Sequence, residues 1–388
     1  MNVNKNGIKV TILAMSLLQM ATNAVASVLA QIASDLQVSD SAAQYLMTFP
    51  CLIFMIMSFV TPKLATILSK KKLALTGLIL SGAAGILSFL FHGSIVPLFI
   101  WDALLGFGIG LTVPVANALI IDYYEGEERA SLLGWQTSAA NIGSMAMTFV
   151  GGYLALLGWH FVYFVYLLAI PGIICILLFL PRKNVEALAP ETAENTKKAA
   201  GKGIPKTAYL YFLIAFLYML MFYVGPTNLA MVVQERQIGS TAMAGNAATV
   251  LLLGGVVMGL FFGKVAARIG RMTIPVGFLM LVIGFLSIYF VNNVAVLFLG
   301  AFLIGTSNTL ILPQCMGSVT TEDKGQSSIN MGICLGLANL GIFAAPIVTG
   351  ISAAVMGNSL STSRFLFAGI VSLILAVLSL IVLKAAKQ

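Results

Sequence analysis

Charge is scarce in this sequence. Only 9% of its residues are Asp, Glu, Lys or Arg, against 59% hydrophobic, and the mean hydropathy is +1.00. A soluble domain carries about 25% charged residues. A water-facing surface cannot be assembled from this composition, so lipid must cover most of the exterior. Histidine is scarcer still: there are 2, and neither has an acid partner nearby in sequence. That disfavours a membrane-embedded enzyme, which needs clustered histidines and acids or a nucleophile with its base. The cysteines Cys51, Cys175, Cys315 and Cys334 sit in apolar runs at no metal-ligand spacing. They read as small buried hydrophobes, and neither a disulfide framework nor a metal site is expected. No Gly-x-x-x-x-Gly-Lys-Ser/Thr loop occurs, which excludes the usual route to nucleotide hydrolysis.

What the chain does have is long apolar runs. A spanning helix needs about 20 mostly apolar residues. Twelve candidates are present: 10–30, 42–66, 73–92, 95–121, 131–156, 160–180, 207–234, 241–267, 272–291, 294–318, 327–356 and 364–384. Of the 21 Lys and Arg, all but Arg236 and Arg364 fall in alternate connections between these runs. This is the positive-inside pattern of a multi-pass protein of the inner (plasma) membrane with both termini in the cytoplasm. The net charge of +8 then reflects topology against an anionic leaflet, and no nucleic-acid partner is expected. Lys5 and Lys9 ahead of Ala24-Val25-Ala26 resemble a signal peptide, but the run continues to Ala30 and further spans follow. An uncleaved first helix is the expectation.

Residues 181–206 contain Pro181, Pro190, Pro205 and mixed Lys and Glu, the composition of a flexible linker. It divides the chain into 1–180 and 207–388, and these halves match at an offset of about 200. Pro62 to Lys70 aligns with Gly263 to Arg271, Gly106 and Pro114 with Gly305 and Pro313, and Asn141, Gly143 and Gly152 with Asn339, Gly341 and Gly350. Shared low-complexity composition is the alternative to duplication, and the matched Gly and Pro argue against it. Duplicated six-helix units with a midplane site at the repeat interface are a recurrent transporter design.

On these features the chain resembles the major facilitator superfamily over essentially its whole length, and is most similar to the drug:proton antiporter branch. The resemblance implies an all-α membrane protein of twelve transmembrane helices in two pseudo-symmetric six-helix bundles. These would rock about a cavity lined chiefly by the first, fourth, seventh and tenth helices. It also implies a monomeric secondary transporter whose partners are a small-molecule substrate, protons and the lipid bilayer, with no cofactor.

The family's loop between helices two and three sets a carboxylate against basic residues as a charge lock. The first copy here keeps Lys70, Lys71 and Lys72 but has Thr66 in the acid slot. The second keeps Gly263, Arg268, Gly270 and Arg271 with Ala267 in that slot. The lock is therefore expected to be incomplete in both halves, and topology alone explains the basic residues equally well. In helix five Met147-Thr148 replaces the family's Gly-Pro while Gly151-Gly152 survive, and helix eleven has Ala345-Pro346 and Thr349-Gly350. Packing or conformational roles are expected for Gly143, Gly151, Gly152, Gly341, Pro346 and Gly350, since small residues let helices approach closely. Gly158-Trp159-His160-Phe161 resembles the family's Gly-Trp-Arg-x-x-Phe. His92 and His160 fall on the outer side, either as pH sensors or as ordinary surface histidines.

Asp102 is the only charged side chain well inside a run. An ionisable group in hydrocarbon is costly and marks function by default. It stands four residues before Gly106, where proton-coupled members of the family often carry Arg. Withdrawal from water favours the protonated form of a carboxyl group, so proton coupling is one reading. A hydrated or ion-paired structural role is a second, and a counter-ion for a cationic substrate a third.

Ser16, Gln19, Asn23 and Ser27 form one polar stripe at helical spacing, matched in the second half by Tyr218, Tyr223, Thr227 and Asn228. The expected substrate contacts are Gln19, Asn23, Tyr218, Tyr223, Asn228 and Asn308. Interhelical hydrogen bonding is the competing role for these groups and for Asn141 and Asn339. No Lys or Arg lies mid-run, which disfavours a strongly anionic substrate. The leading expectation is proton-driven export of moderately apolar neutral or cationic compounds. Import of a small neutral nutrient is the alternative, and a non-transporting sensor remains compatible.

Overall fold

The computed structural model describes residues 5–65, 67–181, 206–319 and 324–385. Thr66 and residues 182–205 of the expected linker lie outside them. Every regular element among the described residues is helical. In the first half these are α1 (Lys5–Ser16), α2 (Leu29–Asp35), α3 (Asp40–Leu64), α4 (Lys70–Leu90), α5 (Ile95–Tyr123), α6 (Gly126–Leu154) and α7 (Ala169–Phe179). In the second they are α8 (Lys206–Phe222), α9 (Val224–Glu235), α10 (Thr241–Ile269), α11 (Thr273–Phe290), α12 (Val294–Ser318), α13 (Lys324–Met356) and α14 (Ser361–Ala385). Short 3-10 helices occupy Ala21–Ser27 and Trp159–Leu168.

Among the described residues, 10 segments are long and apolar enough to cross a membrane. One of them, Thr241–Phe290, covers two of the runs expected from sequence, and each of the others covers one. The expected run 131–156 falls in α6, a 29-residue helix outside that set.

Local chemistry fixes the helix ends. Ser39 accepts from the Ala42 amide at 3.2 Å to start α3, and Ser69 accepts from the Lys72 amide at 3.3 Å to start α4. Such caps satisfy amides that have no partner within the helix. Gln37 and Gln237, which follow α2 and α9, both adopt φ of 52°. After each, a backbone amide reaches back across the turn, Val38 to the Ala33 carbonyl and Ile238 to the Val233 carbonyl. This is a left-handed helix C-cap, repeated at the offset seen in the sequence.

The same offset recurs in helix packing. A Cβ at Gly106 would lie 2.5 Å from the Pro50 carbonyl oxygen, and Gly305 abuts the backbone of Leu251 in the same way. Gly143 abuts the backbone of Leu17, and Gly341 that of Phe216. Pro114 and Pro313 both lie inside helices, α5 and α12.

Candidate functional site

The polar stripes lie where the first and seventh expected spans are broken. α1 ends at Ser16, a turn follows, and Ala21–Ser27 continues as a 3-10 helix. The amides of Gln19, Ala21 and Asn23 bond three residues back, to Ser16, Leu18 and Met20. In the second half Tyr223 separates α8 from α9. Irregular backbone at membrane depth is tolerated only inside protein or beside a water-filled cavity. Gln19, Asn23 and Tyr223 are each half-buried at these breaks.

Other expected contacts are already occupied. The Asn23 amide donates to Ser144 Oγ at 2.9 Å, linking the break to α6. Tyr218 is fully buried, with its hydroxyl 3.0 Å from Ser307 Oγ, so it joins α8 to α12. Asn308 is half-buried and its Oδ1 has no partner among the described residues.

Asn228 stands at the centre of a network linking the two halves of the chain. Its Oδ1 accepts from Gln44 Nε2 of α3 and from Arg364 Nη1 of α14, both at 2.8 Å. Gln44 Oε1 accepts from Thr349 Oγ1 of α13 at 2.7 Å. Arg364 Nη2 pairs with Asp40 at the start of α3 and donates to the Ser359 carbonyl at 2.9 Å. Gln44, Asn228 and Arg364 are all buried.

These contacts mark the distal end of the helices, where α2 hands over to α3. Further contacts between the halves fall toward the same end. Tyr45 and Phe49 pack on Phe343 at 5.5 and 6.4 Å between ring centres, and Gly152 meets Gly245 backbone to backbone. A cavity of about 360 Å³ opens beside the network, lined by Ser34, Asp40, Met231, Gln234 and Glu235 among others.

Sequence reasoning treated Arg364 as a topology marker, because it falls at a run's end. Its interior position depends on partners remote in sequence, of which Asp40 and Asn228 are the essential ones. Without those contacts no local signal separates a buried Arg from an interfacial one.

Asp102 lies on the interior face of α5, in line with Leu98, Leu105 and Ile109, all buried, while Val96, Ile100 and Phe107 are exposed. It has no ion-pair partner among the described residues, and its Oδ2 makes no hydrogen bond. Tyr163 and Tyr166 of the 3-10 helix Trp159–Leu168 lie within its electrostatic reach.

At the opposite end from the Arg364 network, Lys70 pairs with Asp122 of α5. The acid missing from the first loop copy is thus replaced by one from another helix. Lys71 donates to the Leu180 and Leu177 carbonyls at 2.5 and 3.1 Å, capping α7, a favourable site for a cation. In the second copy Arg268 and Arg271 are exposed or half-exposed, without ion pairs among the described residues. Gly270 takes φ of +54°, which favours glycine, whereas Gly263 and Gly350 face open space. Gly151 packs on Val162, and Pro346 is buried within α13.

With this geometry in place, comparison assigns the class. The profile of the Major Facilitator Superfamily matches residues 11–329, and the chain belongs to that family. The particular members it is similar to are known by fold. A bacterial homologue of the human drug peptide transporters PepT1 and PepT2 superposes with a TM-score of 0.75 at 14% identity, covering 99% of each chain. A mutant of the nucleoside transporter NupG gives 0.76 at 14% identity, covering 96% of this chain and 99% of that one. A bacterial homologue of the human lysosomal transporter Spinster, inward-facing and unoccupied, gives 0.69 at 15% identity, covering 97% and 94%. At such identities the likeness is one of fold. No curated protein matches the chain in sequence.

Proposed function

We propose that this transporter is proton-coupled and exports moderately apolar neutral or cationic small molecules by alternating access. In this reading residues 1–180 and 207–388 are two pseudo-symmetric six-helix bundles joined by a cytoplasmic linker over 181–206. Twelve spans cross the inner membrane, both termini are cytoplasmic, and the protein works as a monomer. The basic loops support that orientation, which makes the distal end external. The repeated C-caps at Gln37 and Gln237 and the paired glycine contacts support the duplication.

The observation that carries the coupling is Asp102. An enclosed carboxylate without a cation is costly, and protonation is the simplest way to neutralise it. Gln19, Asn23, Tyr223 and Asn308 form the substrate-contacting set, offering amides, hydroxyls and an aromatic face suited to neutral or cationic solutes. Asn228 and Tyr218 act beside that set, through the distal network and the α8–α12 contact. One inward proton supplies about 2.3 kcal/mol per 100 mV. A tenfold gradient of a neutral solute costs about 1.4 kcal/mol, so one proton suffices for each neutral molecule expelled. Exchange of one proton for a monovalent cation moves no net charge and draws on the pH difference, about 1.4 kcal/mol per unit.

Import is the second reading, favoured by the distal cavity beside Asp40 and Glu235, which would gather a polar solute from outside. Ethidium efflux separates the two. Preloaded cells expressing the protein should lose ethidium faster than cells lacking it, and collapse of the proton gradient should abolish the difference. Equal ethidium loss, together with growth on a nutrient only when the protein is present, would reverse the assignment.

A further inference from the structure

Several buried polar atoms on the elements around Asp102 have no hydrogen-bond partner among the described residues. The 3-10 helix Trp159–Leu168 places side chains every third residue on one face, so His160, Tyr163 and Tyr166 stand in a single row. The row is pressed onto α4: a Cβ at Gly85 would meet the Tyr163 carbonyl oxygen and the Tyr166 Cβ, each at 2.7 Å. Its distal end is partly exposed. There His160 stacks on His92 at 4.1 Å and 3°, and the His92 Nδ1 lies 2.5 Å from the Phe89 carbonyl. From His92 the rings continue inward through Trp159 at 5.5 Å, then Tyr163 at 6.4 Å, then Tyr166 at 6.0 Å.

The hydroxyls of Ser88, Tyr163 and Tyr166, the Trp101 indole nitrogen and Asp102 Oδ2 are all buried, and none has a hydrogen-bond partner among the described residues. Ser88 belongs to this group by register. Gly108 of α5 packs on Ser81 of α4, and Thr112 on Gly77. Continuing that antiparallel ladder sets Ser88 level with Trp101 and Asp102. An unsatisfied buried polar atom is destabilising, and Phe or Ala at these positions would avoid the cost. Such a set, lying between a half-exposed histidine pair and an unpaired acid, offers the two to four polar partners that a bound water needs.

We propose that this row is a proton-access route from the distal face to Asp102. The inference rests on the coupling role given to Asp102 above. A proton from external water is taken up by the His92–His160 pair and passed through waters held by Ser88, Tyr163 and Tyr166. It ends on the Asp102 carboxylate, which becomes the neutral acid, and the imidazole returns to its starting form. The ionisable groups facing the route are His92 from the turn between α4 and α5, His160, Tyr163 and Tyr166 from the 3-10 helix, and Asp102 from α5. No ion pair among the described residues involves any of them. Of the candidate substrate contacts, Gln19, Asn23 and Tyr223 lie at the helix breaks and Asn308 lies within α12. The break Ala21–Ser27, where Asn23 is tied to Ser144 of α6, packs against the same 3-10 helix that carries the row.

Protons themselves are the probe, so no substrate is needed. The protein is reconstituted in one orientation into phosphatidylethanolamine/phosphatidylglycerol vesicles, and the external buffer is switched from alkaline to acid. The carboxylic-acid carbonyl band is followed by infrared difference spectroscopy. The band should rise in the wild type and be missing from Asp102→Asn. In the Tyr163→Phe/Tyr166→Phe variant it should rise about tenfold more slowly or worse. Those hydroxyls have no partner among the described residues, so the variant keeps the rings and should fold; Ser88→Ala gives an independent measure on the same route. A band rising at the wild-type rate in both variants overturns the route while leaving Asp102 as the proton carrier. A wild type without the band, or a band that survives Asp102→Asn, overturns the coupling reading itself.

Discussion

Pro114 removes a hydrogen-bond donor from the middle of α5 and leaves the Gly110 carbonyl without its usual partner. Thr61 of α3, itself buried, fills the gap with a 2.7 Å bond from its hydroxyl to that oxygen. In a bilayer interior no water is at hand to do so. Thr61→Val keeps the shape and removes the donor, so it should lower stability by about 1–3 kcal/mol. Thr61→Ser should lose less, since the oxygen remains. Thermal unfolding in detergent micelles checks both, and equal midpoints for the two variants would show that the bond contributes nothing. At this scale the sequence was informative about kind and blind to partner. Pro114, Asp102 and the polar stripes can be picked out by type alone. That Thr61 serves Pro114, that Asp122 replaces the acid absent at Thr66, or that Arg364 reaches Asp40, depends on contacts across tens to hundreds of residues.

Among the elements, helix breaks and helix ends matter more than the helices themselves. The long apolar runs were legible because length and hydropathy define them. The interruptions at 17–20 and at Tyr223 were not, because both runs keep the length and hydropathy of a continuous span despite Gln19 and Asn23 in one and Gly225-Pro226 in the other. The distal ends of α3, α9, α13 and α14 meet through Arg364, Asn228, Gln44 and Thr349. Glu235 at the end of α9 accepts from the Ser361 amide at 2.5 Å and from Thr362 Oγ1 at 2.6 Å, so it caps α14. Arg364→Gln would leave Asp40 without its cation and weaken this distal closure. Asp40 is about a third exposed, so the loss should be about 1–2 kcal/mol, below that of a fully buried pair. Each 1.4 kcal/mol shifts a two-state ratio about tenfold. Spin labels at Ser34 and Asn358 should therefore report a larger population of long distances in Arg364→Gln. An unchanged distance distribution would mean that Arg364 does not hold the ends together.

For the whole molecule, the offset of about 200 residues ties sequence to architecture. It appears in the matched Gly and Pro of the chain, in the left-handed caps at Gln37 and Gln237, and in the close contacts of Gly106 with Pro50 and Gly305 with Leu251. The family match makes the chain a helical protein of the major facilitator superfamily, and these recurrences support the proposed duplication. The contacts between its halves gather toward the distal end, through Arg364 and Phe343. In the proposed orientation the protein is thus closed toward the outside, with Asp102 enclosed near that face. Substrate chemistry was the least legible property, because amides and hydroxyls suit many neutral or cationic ligands alike.

The coupling claim is tested most directly in proteoliposomes given an imposed pH gradient, with ethidium as the transported probe. Wild-type protein should move ethidium against its own gradient as protons run down theirs. Asp102→Asn should still equilibrate ethidium down its gradient but accumulate none. Uphill ethidium transport by Asp102→Asn at the wild-type rate would contradict the account.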